Sequence, residues 1–162
     1  GLAGHHGAGR ASRDWPEIAE ILGARAGAHA IPNEKVTVKL DDPKSPINAV
    51  FGGRPFEITD EFFRPAAPYS REKLHVLLSI DVEKTDMDQS RACAACARED
   101  HDYAISWIHN YGQGRVFYSA LGHSPGGFWN SRILEHFLAG IQFILGDLKA
   151  DTTPSAKLAV RK

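Results

Sequence analysis

Apolar positions fall into two kinds of run along this chain, one with a period of two and one with a period near 3.6. Val36, Val38 and Leu40 alternate with Thr37 and Lys39 in KVTVKLDDP, which predicts a half-buried strand over 36–40 stopped by Asp42-Pro43. NAVFGGRPFEITDEFF carries a Gly-Gly turn and then a short strand running into Asp60 and Glu61. LHVLLSIDV, residues 74–82, is almost continuously apolar, as expected of a strand covered on both faces. DYAISWIHNY and RVFYSAL predict strands over 103–110 and 115–121, paired antiparallel through the turn Gly112-Gln113-Gly114. The helical period dominates 131–145. Leu134, Phe137, Leu138, Ile141, Ile144 and Leu145 predict an amphipathic helix between Asn130 and Gly146, its Leu134/Phe137/Leu138/Ile141 stripe packed on the sheet. A shorter helix is expected after Asp14-Trp15-Pro16-Glu17, which has the form of a capping box with proline in the first turn, and Gly23 ends it. Residues 83–102 are polar and read as a surface loop, and the polar tail 151–162 reads as frayed.

Mixed strands and helices, with one strand covered on both sides, predict a three-layer α/β fold. Ligands of such sheets sit outside the carboxyl ends of the strands. RVFYSALGHSPGG delivers His123 to a glycine-rich loop at such an end, and His6 follows residues 1–3, which look like the tail of another strand. The two histidines thus occupy equivalent positions on two strands. Composition narrows the choice of partner. With a formal net charge of −1 and no dense Lys/Arg cluster, nucleic acid and anionic membranes are poor partners. No apolar run approaches the ~20 residues of a membrane span. The start lacks a methionine and any signal-type segment, so the compartment, cytoplasmic or periplasmic, is not legible.

WIHNYGQGRVFYSALGH, followed by a helix ending GIQFILGD, resembles the C-terminal half of the ThuA-like trehalose-utilisation family. Asp60-Glu61-Phe62-Phe63 is similar to the family's Asp-Glu-aromatic-aromatic segment, and Gly4-x-His6-x-Ala8 to its Gly-x-His-x-Ala turn. Ser45 stands where the family often has a histidine before Pro46, and Ala30 where proline usually follows a histidine like His29. The resemblance implies a flavodoxin-like sheet of the class I glutamine amidotransferase-like superfamily, with the N-terminal βα units missing. It implies a partial domain over 1–150 followed by the tail 151–162, and an unpaired apolar sheet edge that favours a homo-oligomer.

The resemblance also implies carbohydrate chemistry on trehalose or a related glycoside, including a 3-keto sugar, in the manner of a hydrolase, lyase or isomerase. His6 and His123 are the expected acid and base, because imidazole titrates near neutrality, with Glu61 tuning the pair. Asp60, His29 and Asp102 are the expected polar substrate contacts. Trp107 and Phe128 are the expected aromatic walls for a sugar face. If a divalent metal is held, its ligands are expected to be His6, Glu61 and His123. The alternative is a sugar-binding or scaffold module without turnover. Cys93-Ala-Ala-Cys96 lacks a second Cys-x-x-Cys and lies outside any nucleophile elbow, so a local disulfide or an incidental turn is expected rather than thiol glutaminase chemistry.

Overall fold

The computed structural model describes residues 2–3, 15–29, 31–90, 93 and 96–159. Six strands form the main sheet: β1 (Leu2–Ala3), β3 (Glu34–Leu40), β4 (Phe56–Asp60), β6 (His75–Ile80), β7 (Ala104–Tyr111) and β8 (Gly114–Ser119). Their spatial order is β1-β8-β7-β6-β3-β4. β1 runs parallel to β8, and the other neighbours are antiparallel. A separate two-stranded sheet joins β2 (Arg25–His29) to β5 (Phe63–Ala66). Among the described residues the α-helices are α1 (Pro16–Leu22), α2 (Pro125–Phe128), α3 (Ser131–Leu145) and α4 (Ser155–Ala159). The class is therefore mixed α/β, with a largely antiparallel sheet.

The alternating and continuous apolar runs form strands close to where their periods place them. β6 is buried at all of its positions, because both of its faces are covered. Its neighbour β7 shows how. Trp107, on one face, stacks on Tyr118 with ring centroids 4.0 Å apart and donates from Nε1 to the carbonyl of Leu22, the last residue of α1, at 2.8 Å. Ser106, on the other face, meets His136 of α3 at 3.0 Å. α1 carries Pro16 in its first turn and ends at Gly23 with φ of 86°, as the sequence implies. Its N-cap, however, is Trp15, whose side chain makes no cap, so the expected capping box from Asp14 to Glu17 does not start it. Asp14 itself lies outside the described residues.

α3 has the expected bounds, with Asn130 accepting from the amide of Arg132 and Gly146 in the left-handed region, but it buries a different face. Ile133, His136, Gly140 and Phe143 face inward, whereas Leu134, Leu138 and Leu145 are exposed and Phe137 and Ile141 are only half-buried. Hydropathy misplaces the stripe because two of the inward positions are a glycine and a histidine. Gly140 admits the ring of Phe117, for a Cβ there would lie 2.4 Å from its ring carbons. Gly140→Ala should therefore cost about 1–3 kcal/mol through overpacking, even though alanine is the better helix former by about 1 kcal/mol. Chemical denaturation checks this, and a gain in stability would contradict the contact.

His136 is fully buried, and its Nδ1 donates to the carbonyl of Ile47 at 3.1 Å. Burial pushes its pKa down to about 4, against a weaker opposing effect of the Ile47 bond. The neutral ring is thus the folded form, with Nε2 3.0 Å from the Ser106 hydroxyl. The unfolded chain takes up this proton near pH 6.5 and the folded chain only near pH 4, so the unfolded state binds more protons in between. Stability should fall by about 3 kcal/mol as pH drops from about 6.5 to about 4. Urea melts of wild type and His136→Leu across that window test this, and an equally steep slope in the variant would refute it.

The tail is docked rather than frayed over its described part. Ser155 donates its amide to the carbonyl of Leu74 at 2.9 Å and accepts at Oγ from the amide of Val76 at 2.8 Å. Buried His75 bridges the carbonyl of Thr153, at 2.7 Å, and Asp42, at 3.0 Å. Ser155 Oγ and the Thr153 carbonyl are thus spent at one end of β6, which a polarity reading mistakes for solvation.

Candidate functional site

Register carries several chain ends to one edge of the main sheet. Glu34, which opens β3, is paired with Asp60, which closes β4. Ala3 of β1 is paired with Tyr118, close to the end of β8. The loop after β8, holding Gly122, His123 and Ser124, therefore meets Asp60 and Glu61, and β1 leaves the sheet along the same edge. His6, expected to join this site, lies outside the described residues.

Asp60 builds the loop. Its carboxylate is fully buried and accepts four backbone N–H groups. Oδ2 takes those of Gly122 at 2.7 Å and His123 at 3.2 Å, and Oδ1 takes those of Ser124 at 2.7 Å and Glu61 at 3.1 Å. Charge-assisted bonds of this kind are the strong ones, and together they hold three successive residues of the loop on one carboxylate. Gly122 adopts φ of 87°, where a side chain would be strained. Gly127 must also lack a side chain, because a Cβ there would lie 2.5 Å from Asp60 Oδ2. Ser124 then caps α2 by accepting from the amide of Gly127 at 3.1 Å.

The loop so held presents His123 to Glu61. Nε2 of His123 lies 3.0 Å from Oε2 of Glu61, with the carboxylate side chain 9% exposed and the imidazole 31% exposed. An ionised carboxylate only accepts, so Nε2 carries the hydrogen and Nδ1 is the basic nitrogen of the neutral ring. The arrangement is a carboxylate-paired imidazole in partial contact with solvent. Beneath the same edge, Glu34 and Arg64 form a buried ion pair at 2.5 Å, and the Arg64 guanidinium lies 5.2 Å from the centre of the Tyr103 ring. Sequence reading did not single out this pair. Glu34 carries a signal in being the register partner of Asp60, whereas Arg64 sits in a strand with no alternation.

The other expected site residues separate. Phe128 is 43% exposed and packs against Gly122, which keeps it beside His123. Trp107 is 1% exposed and belongs to the core, where its stacking on Tyr118 and its bond to α1 use up the surface a sugar would need. His29 closes β2 and pairs in register with Phe63, two residues after Glu61. Asp102 is bound elsewhere, in an ion pair with Arg71 at 2.8 Å and a 2.6 Å hydrogen bond from Tyr69. Asp60 lies at the site, but its oxygens hold the loop's backbone, a different task from contacting substrate. Among the described residues no group of three or more His, Cys, Asp or Glu side chains is placed to hold a metal ion. Cys93 and Cys96 are joined in a disulfide. Among the described residues no helix is long and apolar enough to cross a membrane.

Comparison with known proteins agrees with this architecture. A ThuA-like protein from Bacteroides uniformis ATCC 8492 superposes with a TM-score of 0.65 at 17% identity, over 96% of this chain and 61% of that one. A ThuA-like protein from Parabacteroides merdae ATCC 43184 superposes with a TM-score of 0.68 at 15% identity, over 93% of this chain and 62% of that one. The chain thus spans about three-fifths of the length of these solved relatives. No curated protein matches it. The model of the ThuA family, described as trehalose utilisation, matches residues 1–144. With that match running through both Asp60-Glu61 and the Gly122-His123 loop, the chain belongs to the ThuA family.

Proposed function

We propose that this chain carries part of a carbohydrate-processing site in which His123 moves a proton and Glu61 orients it. The observation that supports this reading is the 3.0 Å contact between His123 Nε2 and Glu61 Oε2, on a loop pinned at the sheet edge by Asp60. Nδ1 of His123 is the atom that takes a proton from a sugar hydroxyl or returns it to a leaving oxygen. Phe128 offers a partly exposed ring beside it for the apolar face of a sugar. His6 is the second acid or base in this reading. Trehalose, related glycosides and their 3-keto forms are the substrate class, with hydrolysis, elimination or isomerisation as the reaction.

The fold at large is read in the same way. Residues 1–150 are proposed as part of a three-layer, flavodoxin-like domain of the class I glutamine amidotransferase-like type. The parallel β1–β8 pair supports this, as do α1 and α3 on opposite faces of β7 and β8. In a longer protein the further βα units would continue beyond β1. A homo-oligomer is part of this reading. The deciding experiment offers trehalose and 3-keto sugars to the full-length protein, with and without a chelator. Turnover supports the enzyme reading, whereas saturable binding without turnover would establish the alternative of a sugar-binding module.

A further inference from the structure

We propose that the polar cleft above Arg71, which shares no lining residue with the His123–Glu61 pair, is a second binding site, for a neutral polyhydroxy ligand. The cleft has a volume of about 630 Å³, the size of a small-molecule pocket.

Its floor is rigid. Arg71 grips Asp102 with two parallel bonds, Nε to Oδ2 and Nη2 to Oδ1, each 2.8 Å, and reaches Asp41 from Nη1 at 2.7 Å. Tyr69 donates to Asp102 at 2.6 Å, and Ser79 donates to Asp41 at 2.5 Å. Burial, and then Asp102, push the Tyr69 hydroxyl up, so it stays a donor. Burial alone would push the Arg71 guanidinium down, but its bonds to Asp102 and the charge of Asp41 outweigh this and raise it. Tyr69, Arg71, Ser79, Asp41 and Asp102 are thus joined to one another before any ligand arrives.

The lining chemistry selects the ligand. Three cations, Lys39, Arg71 and Arg98, face four carboxylates, and Arg98 is itself paired with Asp100 at 2.6 Å. A phosphate would have to displace Asp102 or Asp41 from Arg71, and a metal cation would have to displace Arg71 from them. Neither needs to move for a neutral polyol, because Asp102 Oδ1 and both Asp41 oxygens each accept one bond and have capacity for another, while Asp102 Oδ2 is filled by Tyr69 and Arg71. The exposed rim adds Lys39 as donor and Glu72 as acceptor. Alternating donors and acceptors around a fixed floor suit a ring of hydroxyl groups.

His101 is the second observation. It stands on the rim with φ of 50°, the only non-glycine residue in the left-handed region among the described residues. The turn that holds it there is tight: its own amide bonds the carbonyl of Arg98 at 3.2 Å, and the amide of Asp102 bonds Asp100 at 3.1 Å. Strained non-glycine residues gather at functional sites, where the side chain and not the backbone is what the position requires.

That strain supplies a clean variant. His101→Gly relieves the backbone and removes only the imidazole, so the fold should be kept or strengthened. Saturation-transfer NMR on the full chain, with trehalose and glucose as probes and inorganic phosphate as control, reads the site directly. The expected result is sugar binding that weakens roughly three- to tenfold in His101→Gly and in Lys39→Ala. Absence of transfer to either sugar overturns the inference, as does unaltered affinity in His101→Gly or tight binding of phosphate. Binding lost in His123→Ala alone would place the sugar at the sheet edge, sinking the second site while upholding the proposed function.

Discussion

Replacing His123 by alanine in the full-length protein is expected to lower kcat on its sugar substrate by roughly 10²–10⁴-fold, the usual contribution of a positioned general acid or base. Three features of the site lead to this size of effect. The imidazole is oriented by Glu61 at 3.0 Å, it keeps contact with solvent, and its loop is tied to a buried carboxylate. Substrate binding should change much less than turnover, because the proton moves only in the transition state. Glu61→Gln keeps the shape of the partner and removes its charge, so its kcat should fall between wild type and His123→Ala. Steady-state kinetics on the three proteins decides the matter. Turnover that survives in His123→Ala would leave the loop with a binding role.

Replacing Asp60 by alanine is expected to destabilise the fold by about 3–5 kcal/mol. The carboxylate is fully buried and accepts four backbone N–H groups, those of Glu61, Gly122, His123 and Ser124. Removing it takes away the shared partner of these four donors, and a donor left unsatisfied costs more than a bond contributes. Asp60→Asn retains one oxygen, so its loss should be about half as large. Denaturant midpoints measure both variants, and amide exchange at Gly122, His123 and Ser124 should accelerate in Asp60→Ala before other regions respond. A loss under about 1 kcal/mol with unchanged exchange would show that the loop holds itself.

The same carboxylate separates what could be read along the chain from what could not. Asp60-Glu61 stands out in the sequence as an acidic pair at a strand end, and Gly122-His123 as a glycine-flanked end of another strand. Nothing in either segment says that one acid would grip the other's backbone while its neighbour takes the imidazole. The strands themselves are 62 residues or more apart at that contact, so their meeting depends on the order β1-β8-β7-β6-β3-β4.

The sequence by itself determined the elements whose information is local. Alternation over 36–40 became β3, the glycine turn at 112–114 joined β7 to β8, and Asn130 and Gly146 bounded α3. Periodicity, caps and turns act between residues a few positions apart, so they are visible one window at a time. Tertiary structure alone decided which face of α3 is buried, because Gly140 is chosen by the Phe117 ring and His136 by Ser106 and Ile47. It alone paired β2 with β5, in segments without alternation, and drew Thr153 and Ser155 onto β6. It also sent Asp102 to Arg71 rather than to His123. In each case the deciding partner lies far along the chain, and a buried polar group takes whichever partner the packing brings within hydrogen-bond reach.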